Sequence, residues 1–275
     1  MQDPREDIRE QNTPLVLLPI ENLGRRVVQN LEELGRFYVF LGHTLRGLFM
    51  PPVRWRLYAE QMERIGVRSV AIIALSSAAI GMIFSLQMTM VMAMFQAEAM
   101  VGAAVGLTLA RELAPVVTTL MLIAKNGSSM TAELGTMRVT EQIDAMETMS
   151  VDPIHYLVVP RLVASVIVFP ILTGLANLVG ILGAYLVAVE MLGVDPGGFV
   201  EQLYSLVNPI DVISGLIKAA VMGFMMSVIC AYYGFYSAGG SKGVGESATR
   251  AVVASSVGIL IADYIMADLM LQFLY

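Results

Sequence analysis

The sequence predicts an all-α membrane protein: N-terminal amphipathic interfacial helices followed by five transmembrane helices. Three observations lead there. Of 275 residues, 56% are hydrophobic and 15% charged, against about 25% charged in an ordinary soluble chain. The mean hydropathy is +0.70. Residues 70–95, 163–189 and 219–236 contain no Asp, Glu, Lys or Arg, whereas a soluble protein keeps charges on the outward face of each helix. Runs of about 20 apolar residues carry a helix across a bilayer.

The elements follow in order. Residues 1–20 are rich in Asp, Glu and Pro and lack the charged start, short apolar core and cleavage site of a signal peptide. They are expected to be a flexible cytoplasmic tail, ahead of a domain spanning 21–275. From Glu21 to Leu48, apolar residues such as Leu23, Val27, Leu31, Leu34, Tyr38, Leu41 and Leu45 recur every three or four positions, one stripe of a helix. Arg25, Arg26, Glu32, Glu33 and Arg36 lie off it, which suits a membrane interface. Pro51 and Pro52 break the pattern. A second amphipathic piece has Trp55, Tyr58, Met62 and Ile65 on one face and Arg54, Arg56, Arg64 and Arg68 beside it, a headgroup-level anchor; a helix covering a soluble partner shares this pattern. The interfacial part is therefore placed at 21–66 and the transmembrane bundle at 67–275.

Five spans are expected at about 67–95, 101–125, 154–190, 208–236 and 249–275. The third carries Pro160 and Pro170, so a kink or an interfacial start is expected there. Ten of the fourteen arginines precede residue 69; linker 126–153 holds Arg138, loop 237–248 holds Lys242, and linkers 96–100 and 191–207 hold no Lys or Arg. The positive-inside rule then puts the N-terminus in the cytoplasm and the C-terminus outside. The net charge of −6 adds little, because charge in a membrane protein is read by location. Cys230 is the only cysteine, and His43 and His155 stand far apart, so neither a disulfide framework nor a metal set is expected. No cofactor and no nucleic-acid partner is implied.

The linker 126–153, NGSSMTAELGTMRVTEQIDAMETMSVDP, is too polar for a span and too helix-prone for a plain loop. Thr131 is placed to cap a helix running to about Met149, ended before Pro153. Its acidic character comes from Glu133, Glu141, Asp144 and Glu147, offset by Arg138. Such a helix suits contact with a motor protein, and equally a solvated connection.

These residues carry a resemblance. Ala132 to Gly135, Met137 to Ala145 and Val151-Asp152-Pro153, with Leu109 to Pro115 upstream and Ser247 to Val253 downstream, resemble the signature of the MlaE/YrbE permease family, over roughly residues 20–275. The resemblance implies a homodimeric permease that works with a cytoplasmic ABC ATPase and an MCE-domain protein on the outer side. It implies movement of phospholipids or other lipids between a bacterial inner membrane and the cell envelope. It also implies that 131–149 is the coupling helix docking on the ATPase, with Glu133, Arg138, Glu141 and Asp144 as contact residues. No phosphate-binding loop of the form G-x-x-x-x-G-K-[ST] is found; the nearest stretch, Gly239 to Ser247, has Glu246 where the lysine belongs and is expected to be a flexible turn. Hydrolysis is assigned to another chain.

Ionisable groups within membrane helices are costly and usually paired. Arg111, Glu112, Lys218 and Asp263 fall at similar depth, on the order of 15 Å from the outer ends of their helices. They are expected to form a polar cluster that holds the helices together or gates a lipid path. Asp211 and Asp268 are expected to be solvated. Gly102 and Gly106 allow close helix approach. Five of the 20 methionines crowd the end of the first span, and their adaptable thioethers make a lipid cavity lined by Leu86, Met90, Met94 and Phe95 a candidate. An ion-coupled secondary transporter using the buried charges, or a structural scaffold of an envelope complex, are the competing functions.

Overall fold

The computed structural model describes residues 18–50 and 54–274; most of the expected N-terminal tail and the Pro51-Pro52 break lie outside the described residues. Met1–Arg46 and Gly47–Tyr275 form two compact units. In the first, α1 (Leu18–Gly47) is one 30-residue helix. Its Leu31, Leu34 and Tyr38 are exposed, and Arg36 pairs with Glu32 one turn earlier at 3.5 Å.

The second unit begins with α2 (Trp55–Ile65), a single 3₁₀ turn at Val67–Ser69, and α3 (Val70–Met94), the first span. At 1.5 Å per residue its 25 residues reach about 37 Å, enough for a ~30 Å hydrocarbon core. The second span runs unbroken from Glu98 to Val139, as α4 (Val101–Thr108), α5 (Ala114–Leu122) and α6 (Ser128–Val139) joined by π-helical turns at Leu109–Leu113 and Ile123–Gly127. The short helix α7 (Gln142–Thr148) follows. The third span is a π-helical turn, Ile154–Val158, leading into α8 (Val159–Tyr185). Then come α9 (Pro196–Leu206), α10 (Pro209–Phe235) and α11 (Gly240–Leu274), the last two being the fourth and fifth spans. Five helices among the described residues are long and apolar enough to cross a membrane.

The core lies along α8 and α10. α8 packs on α2, α3, α5 and α10, and α10 also packs on α6 and α11. Without a hydrophobic force between helices in lipid, association depends on close packing of small residues. On α3 the buried Ser77, Gly81, Ser85 and Thr89 recur every four positions against Gly180, Gly183 and Ala184 of α8. A Cβ on Gly81 would stand 2.0 Å from the Gly180 carbonyl oxygen, and Ser85 Oγ donates to the Ala184 carbonyl at 2.8 Å. Gly102 and Gly106 serve α9 in the same way: a Cβ there would meet Phe199 O and Leu203 Cδ1, each at 2.2 Å.

Four boundaries differ from the sequence expectation. The second span does not stop near residue 125. Thr131 caps nothing, since it sits buried inside α6 and its Oγ1 donates to the carbonyls of Gly127 and Cys230 at 2.9 and 3.0 Å. The expected helix over 131–149 is instead broken at Glu141, which takes a left-handed φ of 59° and divides α6 from α7. The glycine-rich stretch at 240–248 is not a loop; it forms the first turns of α11. Finally, linker 191–207 holds α9, whose start was written in Asp195-Pro196: Asp195 Oδ2 accepts the Gly198 N–H at 2.6 Å, and proline fits the first helical position.

Candidate functional site

Two charged constellations occupy the bundle, one in the half that carries α9 and one at the end that carries α6. The first is built on the π-helical turn Leu109–Leu113, which widens the helix at Arg111 and Glu112; such turns frequently mark functional positions. Pro115 has no N–H, so the Arg111 carbonyl loses its helical donor. Lys218 Nζ of α10 takes that place at 3.2 Å and donates to Glu112 Oε2 at 2.6 Å. Asp263 Oδ1 of α11 lies 3.3 Å from the same ammonium, as a second ion pair. The structure thus brings Glu112, Lys218 and Asp263 together from three spans.

Arg111 turns elsewhere. Its Nε and Nη2 reach Asp211 Oδ1 at 2.8 and 2.7 Å, while Asp211 Oδ2 accepts the Asn208 N–H at 2.8 Å. Asp211 is fully buried, which corrects the expectation that it is solvated: it closes the N-terminus of α10 and anchors Arg111 at once. An Asn-Pro-x-Asp start is a readable capping signal. Asp268 is exposed. Between the second, fourth and fifth spans lies a cavity of about 300 Å³, lined by the polar and charged Thr108, Arg111, Glu112, Ser214 and Lys218 and by the apolar Leu107, Ala267, Met270 and Leu271. Its lining mixes charged and apolar groups.

Leu86, Met90, Met94 and Phe95 do not line that cavity. All four are exposed along the first span, Met94 to 81%.

The second constellation gathers at the other end. Glu133 of α6 is half-turned into the bundle: Oε2 accepts from Arg64 Nη1 of α2 at 2.5 Å, and Oε1 lies 3.2 Å from Arg161 Nη2 of α8. Arg161 is 5% exposed, and its Nη1 donates to the Leu157 carbonyl at 2.7 Å. Arg161 is absent from the sequence expectation, although it is the one Lys or Arg of the third span, whose other charged residue is Glu190 near its end. Nearby, Asn126 Nδ2 donates to the Ile65 carbonyl and to Ser69 Oγ, both at 3.1 Å, and Lys125 Nζ donates to the Arg68 carbonyl and to Ser69 Oγ. Beyond α6, Arg138 Nη1 pairs with Asp144 Oδ1 at 2.5 Å across the Glu141 break. Ile143 is buried, while Glu141, Ala145, Glu147 and Thr148 are exposed. Among the described residues no group of three His, Cys, Asp or Glu is arranged to hold a metal ion.

Comparison with known proteins places this architecture. Residues 58–269 match the family model "Permease MlaE". A Rickettsia bellii protein named "Probable ABC transporter permease protein" is 40% identical over 255 residues, covering 92% of this chain and 98% of that one. The "Intermembrane phospholipid transport system permease protein MlaE" of Haemophilus influenzae is 38% identical over 254 residues, 91% of this chain and 97% of that one. The Arabidopsis thaliana protein "TRIGALACTOSYLDIACYLGLYCEROL 1, chloroplastic" is 35% identical over 234 residues, 85% of this chain and 67% of that one. With the family model spanning most of its length and the five-span helical architecture to match, the chain belongs to the MlaE permease family of ABC transporter permeases.

Proposed function

We propose that this chain is the permease subunit of an ABC transporter that moves phospholipid, or a related lipid, between a bacterial inner membrane and the cell envelope. It works as a homodimer with a separate cytoplasmic ATPase and an MCE-domain protein on the outer side. The observation that carries this is the 38% identity, over nearly the whole of both chains, to a permease named for intermembrane phospholipid transport. The 300 Å³ cavity supports it: a lining that mixes charged and apolar groups suits an amphiphile, with Arg111 and Lys218 available to a headgroup and Met270 and Leu271 to acyl chain. In this reading the cluster of Glu112, Lys218 and Asp263, with Arg111 bound beside it to Asp211, both ties the spans together and gates the path.

The orientation follows from where the cations sit. In the second unit Arg54, Arg56, Arg64, Arg68, Lys125, Arg138, Arg161, Lys242 and Arg250 belong to segments at the α6 end, and residues 191–209 at the other end hold no Lys or Arg. The α6 end is therefore assigned to the cytoplasm. There the break and α7 offer the exposed Glu141, Glu147 and Thr148 to an ATPase, with Arg138 and Asp144 bracing the break.

Purification of the tagged chain in mild detergent, with mass spectrometry of bound proteins and lipids, tests the proposal. A P-loop ATPase, an MCE-domain protein and phospholipid are the expected companions. A chain that consistently purifies without an ATPase would sink the ABC reading and shift attention to ion coupling through Lys218.

A further inference from the structure

The carboxylate of Glu133 points the wrong way for a docking residue. Of the four side chains the family resemblance assigns to ATPase contact, it is the one whose bonds run to other elements of the bundle, to Arg64 and Arg161; Arg138 and Asp144 bond each other, and Glu141 is exposed. The two guanidiniums differ in freedom. Arg161 is buried, and a second bond to the Leu157 carbonyl of its own helix holds it, so it cannot follow a moving carboxylate. Arg64 is 44% exposed on the amphipathic helix α2, and it can. α2 is also stapled to the root of α6: Asn126 and Lys125, on the π-helical turn before it, grip the Ile65–Ser69 turn that links α2 to the first span. Glu133 therefore stands where one rigid helix meets a fixed arginine and a mobile one.

We infer that Glu133 is a positioning residue for transport, which converts displacement of the segment 128–148 into displacement of α2 and the first span against the fixed Arg161, without touching the ATPase. This rests on the reading that an ATPase drives the permease. If α6 shifts, the Glu133–Arg161 contact opens while Arg64 and the Asn126 and Lys125 bonds travel with α6. The small cavity of about 30 Å³ at this junction, lined by Gln61, Ser129, Glu133 and Arg161 among others, gives the carboxylate room to move.

The test uses the whole co-purified complex, reconstituted into liposomes of phosphatidylethanolamine and phosphatidylglycerol with a fluorescent phosphatidylethanolamine as probe. ATP hydrolysed and lipid transferred are measured together. Glu133→Gln is expected to retain the ATPase at wild-type stoichiometry and to hydrolyse ATP at close to the wild-type rate. Lipid moved per ATP should fall by about tenfold, the size of a typical coupling between sites, and Glu133→Asp should recover part of it. Arg64→Gln leaves the Glu133–Arg161 pair intact, so the fold is kept if Glu133→Gln proves unstable; it should uncouple in the same way. Loss of the ATPase from either variant complex, or an unchanged lipid-to-ATP ratio in Arg64→Gln, would overturn the inference. A wild-type chain that binds no ATPase would instead overturn the function it rests on, so the two failures are distinguishable.

Discussion

At the scale of the single residue, a membrane interior makes each ionisable side chain answerable to a partner, since a charge at mid-bilayer costs about 3 kcal/mol or more. Lys218 meets three demands with one ammonium: the Arg111 carbonyl freed by Pro115, the Glu112 carboxylate and Asp263. Lys218→Ala leaves the Glu112 and Asp263 carboxylates facing each other without the ammonium between them. The expected outcome is transport reduced by at least about tenfold at normal expression, measured as lipid transfer by the reconstituted complex; full transport would show the cluster to be dispensable. Asp211 does separate work. Asp211→Ala removes both bonds to Arg111 and the cap of α10, a loss of about 3 kcal/mol, whereas Asp268→Ala on the exposed face should stay within about 0.5 kcal/mol. Thermal unfolding of the detergent-solubilised variants checks the contrast. The sequence pointed to Lys218 because any lysine in such a run is conspicuous. It misplaced Asp211 because proximity to a helix end was taken for exposure, when the same position let the carboxylate turn inward to cap the helix and bind an arginine.

At the scale of the element, helices here are specified by apolar length and joined by small residues. The contact of α3 with α8 depends on the missing side chain of Gly81, where an added Cβ would enter the Gly180 carbonyl at 2.0 Å. Gly81→Val should therefore cost about 2 kcal/mol or more through overpacking, while Gly258→Ala, whose new Cβ would find its nearest neighbours at 3.8 and 4.0 Å, should be neutral. Scanning fluorimetry on both variants distinguishes a packing role from a general intolerance to substitution. Hydropathy marked all five spans because it registers where charge is absent. It could not mark where the second span ends, because α6 is polar yet buried: Thr131, Leu134 and Gly135 fill the groove against α10 and α11, and a polar helix buried by its neighbours looks in sequence like one facing water. Nor could it show that Glu141 adopts a left-handed backbone, since that conformation is set by Ile143 tucking under and by the Arg138–Asp144 pair across the break.

At the scale of the whole chain, what was legible was the chemistry that must be paired and the sidedness of charge; what was not was which partner each group takes. Arg111 and Glu112 are adjacent in sequence, yet they serve different carboxylate and ammonium partners, because neighbouring side chains on a helix point in different directions. Sidedness yields the most decisive prediction. Tyr204 on α9 is 82% exposed and Lys242 at the start of α11 is exposed, with one span, α10, between them. They must therefore lie on opposite sides of the membrane, and the cation distribution puts Lys242 in the cytoplasm. The native Cys230 is fully buried, so a membrane-impermeant maleimide has no background target. In intact spheroplasts Tyr204→Cys should label and Lys242→Cys should not, until the membrane is opened. The reverse pattern would put the α6 end, with Glu133 and α7, outside the cell where no ATP-driven partner can reach it, and the proposed function would fall. Labelling of both from one side would mean that α10 does not cross the membrane, and that Lys218 is held at a surface instead of within the bilayer.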